Sequence, residues 1–159
     1  MRMYVGIGYD IHRLSPGRPL KIGGVDIPFI KGLEGHSDAD VLLHAVCDAI
    51  LGAIGDADIG SIFPDTDPEF KDVSGKTLLA DAGARAAAKN LKISNIDCVI
   101  MAEEPKIALY RDEIRRSISE VLNISSDVVN VKGKTNEGLG AIGSGTAIAA
   151  QAVVLVVGE

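Results

Sequence analysis

The three histidines of this 159-residue chain all fall between residues 12 and 44, each close to a carboxylate. They stand in Tyr9-Asp10-Ile11-His12 and in His36-Ser37-Asp38-Ala39-Asp40-Val41-Leu42-Leu43-His44. Neutral imidazole and carboxylate are ordinary ligands of zinc and its neighbours. Three protein ligands with one open position make a catalytic zinc site, and this cluster can supply three. The chain therefore reads first as a metal-assisted enzyme. The plain alternative is a turn aspartate, a surface histidine and a helical histidine packed in the core.

Asp10 and His12 follow the alternating run Met3-Tyr4-Val5-Gly6-Ile7-Gly8, which reads as a strand over 3–10. Side chains two apart on a strand share a face, with Cα atoms about 7 Å apart, so both can reach one ion. His44 belongs to a helix expected over 37–54, with Ser37 as N-cap and Asp40 closing a variant capping box. Apolar Val41, Leu42, Ala45, Val46, Ala49 and Ile50 then recur at helical spacing. On that reading His36 lies just outside the helix and His44 two turns inside, about 12 Å away. His44 is accordingly the expected ligand, and His36 is assigned to hydrogen bonding near the helix N-terminus.

Further strand patterns occupy 19–30 (interrupted by Gly23-Gly24), 96–103, 128–134 and 147–157, and helical patterns 75–90 and 109–123. They predict one small domain over 1–159, an α/β or α+β sandwich with helices on one face of a mixed four- to five-stranded sheet. Arg111, Asp112, Glu113, Arg115 and Arg116 on the last helix read as a solvated face. Hydrophobic residues make up 47% of the chain and the net charge is −6, which fits a globular protein and argues against unspecific nucleic-acid binding. A phosphorylated substrate must then be held by local cations and backbone amides. Cys47 and Cys98 lie in apolar segments and suggest a reducing, cytoplasmic setting rather than a disulfide scaffold. Neither a signal peptide nor a membrane-length apolar run is expected.

Two stretches are richer in chemistry. Residues 55–76 are long and polar with two prolines, and Asp65, Thr66 and Asp67 read on their own as Asx-type turns. Residues 132–145, Lys-Gly-Lys-Thr-Asn-Glu-Gly-Leu-Gly-Ala-Ile-Gly-Ser-Gly, combine lysines and glycines in a way that lets amides approach phosphate. The order of a Walker A loop is absent, and a structural turn between strands is the competing account.

Taken together, several segments resemble the 2-C-methyl-D-erythritol 2,4-cyclodiphosphate synthase family. They are Gly-Tyr-Asp-Ile-His at 8–12, Ile-Gly-Gly-Val-Asp-Ile-Pro at 22–28 and Gly-His-Ser-Asp-Ala-Asp-Val-Leu-Leu-His-Ala at 35–45. Asp-Ile-Gly-Ser-Ile-Phe-Pro-Asp-Thr-Asp at 58–67, Pro105-Lys106 and Lys-Thr-Asn-Glu-Gly-Leu-Gly at 134–140 complete the set, in the family's order. The resemblance implies a homotrimer with sheets around the threefold axis and active sites between adjacent subunits. It implies a phosphorus–oxygen lyase that cyclises 4-diphosphocytidyl-2-C-methyl-D-erythritol 2-phosphate and releases CMP. The alternative is a metal-dependent phosphoesterase acting on a nucleotide diphosphate, and a non-enzymatic metal-binding module is a third reading.

Carried onto this sequence, the resemblance makes Asp10, His12 and His44 the ligands of one zinc-type ion. His36 and Thr135 become the catalytic stabilisers of the transition state, and Glu137 a ligand of a second magnesium or manganese ion on the diphosphate. Asp58 and Gly60 match ribose contacts, and Phe63, Asp65, Thr66 and Asp67 belong to a segment over the methylerythritol. Ala102, Pro105, Lys106 and Ala108 match the cytidine diphosphate pocket. Ser37, Lys134 and Asn136, with Asp10, His12 and His36, extend the expected substrate contacts. Ala141 and Ser144 depart from the family, standing where many members carry Phe and Arg in a cavity on the trimer axis that holds isoprenoid diphosphates.

Overall fold

The computed structural model describes residues 1–158. Strand β1 (Arg2–Pro16) opens the chain and runs well past residue 10, so Asp10 and His12 sit within it. Its length comes from pairing, since Arg2 to Arg13 lie opposite Gly158 to Ala147 of the last strand. Strands β2 (Leu20–Ile22) and β3 (Val25–Ile27) form a hairpin of their own, which corrects the single interrupted strand expected over 19–30. Gly23 and Gly24 supply its two-residue turn with φ of 63° and 76°, the left-handed pair that a tight hairpin favours.

The remaining elements are β4 (Lys31–Leu33), α1 (Val41–Ala53), α2 (Ile59–Ile62), α3 (Gly75–Ala88), β5 (Leu91–Met101), α4 (Arg111–Leu122), β6 (Val129–Lys134), α5 (Gly140–Gly143) and β7 (Ala147–Gly158). Five strands make one mixed sheet in the order β4-β1-β7-β5-β6. Only β5 and β6 pair in parallel, and α4 supplies the crossover between them. Strand β5 begins at Leu91, earlier than expected, with a register irregularity between Ile93 and Asn95. The segment before α4 is a 3-10 turn, Ile107–Tyr110, rather than the start of that helix.

One sheet face is covered. Ile96, Cys98 and Ile100 of β5, Val129 and Val131 of β6, and the even-numbered residues 148–156 of β7 are buried there. Helix α1 lies against β1 and β7 and is buried almost all round, leaving a stripe of His44, Asp48 and Gly52 less covered. Those three recur every fourth residue, so they share one helix face.

The other sheet face is largely bare, apart from Ala147 and Ala149, which pack with Ile142 of α5 and Met101. Met3, Val5, Ile7, Tyr9 and Ile11 of β1 are 45–67% exposed and Val153 of β7 is 42% exposed. These side chains alternate along β1 and so form one apolar row on that face.

On α4, Asp112, Glu113 and Arg116 are exposed as expected, whereas Arg111 and Arg115 are half-buried and engaged. Arg111 donates to the Val131 carbonyl at 3.0 Å, and Arg115 donates to the carbonyls of Val129 at 2.7 Å and Ser126 at 2.8 Å. These guanidiniums tie α4 to the backbone of β6 instead of simply facing water.

Candidate active site

Helix α1 begins at Val41, and its N-cap is Asp40 rather than Ser37. Asp40 Oδ1 accepts the Leu43 N–H at 3.0 Å and the Gly23 N–H at 2.8 Å, while Oδ2 accepts the Gly24 N–H at 2.6 Å. This fully buried carboxylate therefore caps the helix and clamps the β2–β3 turn at once. His44 lies in the first turn of α1, and His36 stands outside the helix, so the separation of two helical turns expected between them does not apply.

The close approach of α1 to β1 completes the placement. Gly6 and Gly8 share the β1 face of Asp10 and His12. A Cβ on Gly6 would lie 1.8 Å from the Ala49 carbonyl oxygen, and one on Gly8 1.9 Å from that of Ala45. Glycine is the residue that lets two backbones meet so closely. The helix thus brings His44 directly over the two strand residues.

Asp10, His12 and His44 form a cluster of three half-buried potential metal ligands. Asp10 Oδ2 lies 2.8 Å from His12 Nε2 and 3.0 Å from His44 Nδ1, and the two nitrogens are 3.4 Å apart. Donor atoms at the corners of a tetrahedral site of ordinary zinc–nitrogen and zinc–oxygen length are about 3.3 Å apart. The donor set fits a small divalent cation with a fourth position open to the cleft. Outer partners orient both rings. His12 Nδ1 is 2.7 Å from the Glu34 carbonyl, and His44 Nε2 is 3.2 Å from Ser37 Oγ. A carbonyl only accepts, so His12 carries a proton on Nδ1, and its Nε2 donates to Asp10 when protonated and offers a lone pair to a cation when not.

The electrostatics agree. Burial alone would raise the Asp10 carboxyl, but hydrogen bonds and charge from His12 and His44 outweigh it and bring the group down to about 2. Burial likewise opposes a charged His12, yet its bonds to Asp10 and to the Glu34 carbonyl carry it above its ordinary value. Imidazole N–H groups thus hold the carboxylate ionised, and a cation bound there would take the place of those protons.

A cleft of about 160 Å³ opens beside the cluster, lined by His12, His36, Ser37, His44, Gly60, Phe63 and Asp65 among others. His36 is exposed, with Nε2 3.8 Å from Asp65 Oδ2. Asp58 caps α2, accepting the Ser61 N–H and hydroxyl, each at 2.9 Å. Asp67 accepts the Glu69 N–H at 3.0 Å and so makes the local turn its sequence suggests, while Thr66 is exposed. A larger depression of about 1610 Å³ lies around Met1–Val5, Gly52–Gly55 and Asn90. The metal-ligand cluster is not part of its lining.

The remaining expected residues form a second group at the same end of the sheet. Ile11, Ala149, Met101 and Lys134 stand in one row across β1, β7, β5 and β6. Three strand spacings place Lys134 about 14 Å from the β1 end of that row. Ala102, Pro105 and Ile107 are buried under this end of β5 and β6, while Lys106 and Ala108 are exposed. Thr135 and Asn136 are half-buried and Glu137 is exposed in the loop after β6. Lys132, the other lysine of that region, is engaged with Asp97 at 2.7 Å on the bare sheet face. Within one chain the two groups do not line one cleft.

Residues 3–157 match the YgbB family. The chain belongs to that family. Over 152 residues it is 54% identical to the 2-C-methyl-D-erythritol 2,4-cyclodiphosphate synthase of Caldicellulosiruptor bescii, covering 96% of this chain and 97% of that one. It is 52% identical over 157 residues to the synthase of Paraburkholderia phymatum, covering 99% of each. Among solved structures, IspF of Plasmodium falciparum in its CDP complex superposes with a TM-score of 0.88 at 38% identity, over 99% of this chain and 97% of that one.

In this YgbB-family chain, sequence patterns left several acceptors unrecognised. Asp48, one turn after His44, accepts the Ile59 N–H at 2.7 Å and so fixes the start of the Asp58–Gly60 segment relative to α1. Its spacing of four from His44 was the available signal. Glu103 receives the Asn136 N–H at 2.7 Å, and Asp38 the Gly75 N–H at 2.9 Å. Neither of these last two pairings has a local sequence signature.

Proposed function

We propose that this YgbB-family protein converts 4-diphosphocytidyl-2-C-methyl-D-erythritol 2-phosphate to 2-C-methyl-D-erythritol 2,4-cyclodiphosphate and CMP. The observation that carries this reading is the Asp10–His12–His44 donor cluster at the mouth of the cleft, in a chain that matches named synthases along nearly its full length. An oxygen of the substrate's 2-phosphate forms a bond to the β-phosphorus. The bond from that phosphorus to the bridging oxygen breaks, and the oxygen leaves with CMP. No protein nucleophile is needed, and the attacking phosphate is already largely ionised near neutrality. The protein contributes orientation and charge neutralisation.

Asp10, His12 and His44 would hold a zinc ion, and Glu137 would contribute to a second ion, magnesium or manganese. Such cations, when bound, would polarise phosphoryl oxygens and stabilise the charge that builds on the departing CMP phosphate. His36 and Thr135 hydrogen-bond the phosphoryl oxygens as charge builds on them, with Ser37, Lys134 and Asn136 beside them. Asp58 and Gly60 receive the ribose, Phe63 and Asp65–Asp67 cover the methylerythritol, and Ala102–Ala108 with Lys106 hold the cytidine diphosphate.

The site is shared between copies in a homotrimer packed on the bare sheet faces. Two observations support this: the exposed apolar row on β1, and the position of the second residue group across the sheet end from the metal ligands. The Phe and Arg of the axial cavity are replaced by Ala141 and Ser144, and the Ser144 hydroxyl donates within its own turn to the Ala141 carbonyl. Isoprenoid diphosphates therefore bind weakly there. Buried, unpaired Cys47 and Cys98 suit a cytoplasmic location.

Release of CMP from this substrate, with and without a chelator, tests the activity. Sedimentation or light scattering tests the assembly, with a trimer expected and a monomer at micromolar concentration contradicting the shared site.

A further inference from the structure

Strand β6 ends at Lys134. Its next amides cannot continue a ladder, and three in succession turn to side-chain acceptors. Glu103 Oε1 takes the Asn136 N–H at 2.7 Å and the Gly138 N–H at 3.4 Å, and Thr135 Oγ1 takes the Glu137 N–H at 3.4 Å. The two amides held by Glu103 flank Glu137. That residue has a φ of 51°, left-handed and uncommon for a side chain other than glycine, and Gly138 follows at 74°. A left-handed non-glycine residue persists where its surroundings fix it.

We propose that Glu103 is a positioning residue for the Thr135–Glu137 loop. Its carboxylate grips the backbone on both sides of Glu137 and so sets the direction in which Glu137 presents its own carboxylate to a divalent cation on the substrate diphosphate. This rests on the role given to Glu137 under the proposed function. Glu103 does not touch the reacting atoms. It is half-buried at the start of the Ala102–Ala108 segment, so the same side chain joins that segment to the loop. The requirement is for an acceptor oxygen aimed at Asn136 and Gly138, which glutamine also supplies and alanine does not.

Three proteins separate this from a general structural role: the native chain, Glu103→Ala and Glu103→Gln. Amide hydrogen exchange is measured first without metal or substrate. Exchange at Asn136 and Gly138 is expected to quicken at least tenfold in Glu103→Ala and to stay within about twofold of native in Glu103→Gln. The magnesium concentration giving half-maximal CMP release is measured next. It is expected to rise about tenfold or more in Glu103→Ala, with zinc content unchanged, and to return toward native in Glu103→Gln. Native exchange rates at both amides in Glu103→Ala overturn the proposal, as does an unaltered magnesium requirement in an active enzyme. If the native chain releases no CMP, the proposed function fails, and the exchange data alone still decide whether Glu103 holds the loop.

Discussion

Gly8 and Ala45 touch through their backbones: a Cβ on Gly8 would sit 1.9 Å from the Ala45 carbonyl oxygen. This contact sets the depth at which α1 lies on β1, and with it the position of His44, the residue before Ala45. Gly8→Ala must lift the helix or bend the strand. It is expected to lower stability by about 1–3 kcal/mol or more and to weaken metal retention with it. Urea denaturation and metal analysis of the purified variant check this, and native values for both would mean that the helix does not depend on the contact.

Removing the imidazole of His44 should separate metal from fold. His44→Ala leaves two of the three donors, too few for a tight site. Zinc content is expected to fall close to zero and CMP release by more than about a hundredfold, with the circular dichroism spectrum retained. Full zinc occupancy in the variant would exclude His44 as a ligand.

Asp40 gives a pH signature. Burial raises its carboxyl from 3.8 to about 6, against the pull of three backbone N–H groups. A group whose folded value is raised contributes stability that is complete below 3.8 and is lost as pH rises through about 6. Between these limits, metal-free native protein should lose up to about 3 kcal/mol relative to Asp40→Asn, which cannot ionise. Parallel stability profiles for the two proteins across that window would contradict the assignment.

The convergence of Asp10, His12 and His44 is legible in the sequence because histidine is rare here and Asp10 and His12 share a strand face. The helix start was less so. Ser37 and Asp40 are both good caps by type, and Asp40 takes the role while its carboxylate also receives Gly23 and Gly24 from a distant hairpin. Sequence spacing cannot show such a contact. The roles of Arg111 and Arg115 are hidden for the same reason, since their partners are main-chain oxygens around β6. Motif singles out the Asp58–Gly60 and Thr135–Glu137 segments, yet Asp48 and Glu103, which hold them, act through backbone amides outside those motifs.

Incubation with 4-diphosphocytidyl-2-C-methyl-D-erythritol 2-phosphate in oxygen-18 water, with and without chelator, tests the central claim most directly. Phosphorus NMR and mass spectrometry of the products should show CMP and a cyclic diphosphate in equal amounts, no solvent oxygen in the cyclic product, and loss of both on metal removal. A linear product carrying oxygen-18 would make the protein a phosphoesterase, and CMP release unaffected by complete removal of metal would deny the Asp10–His12–His44 centre its role.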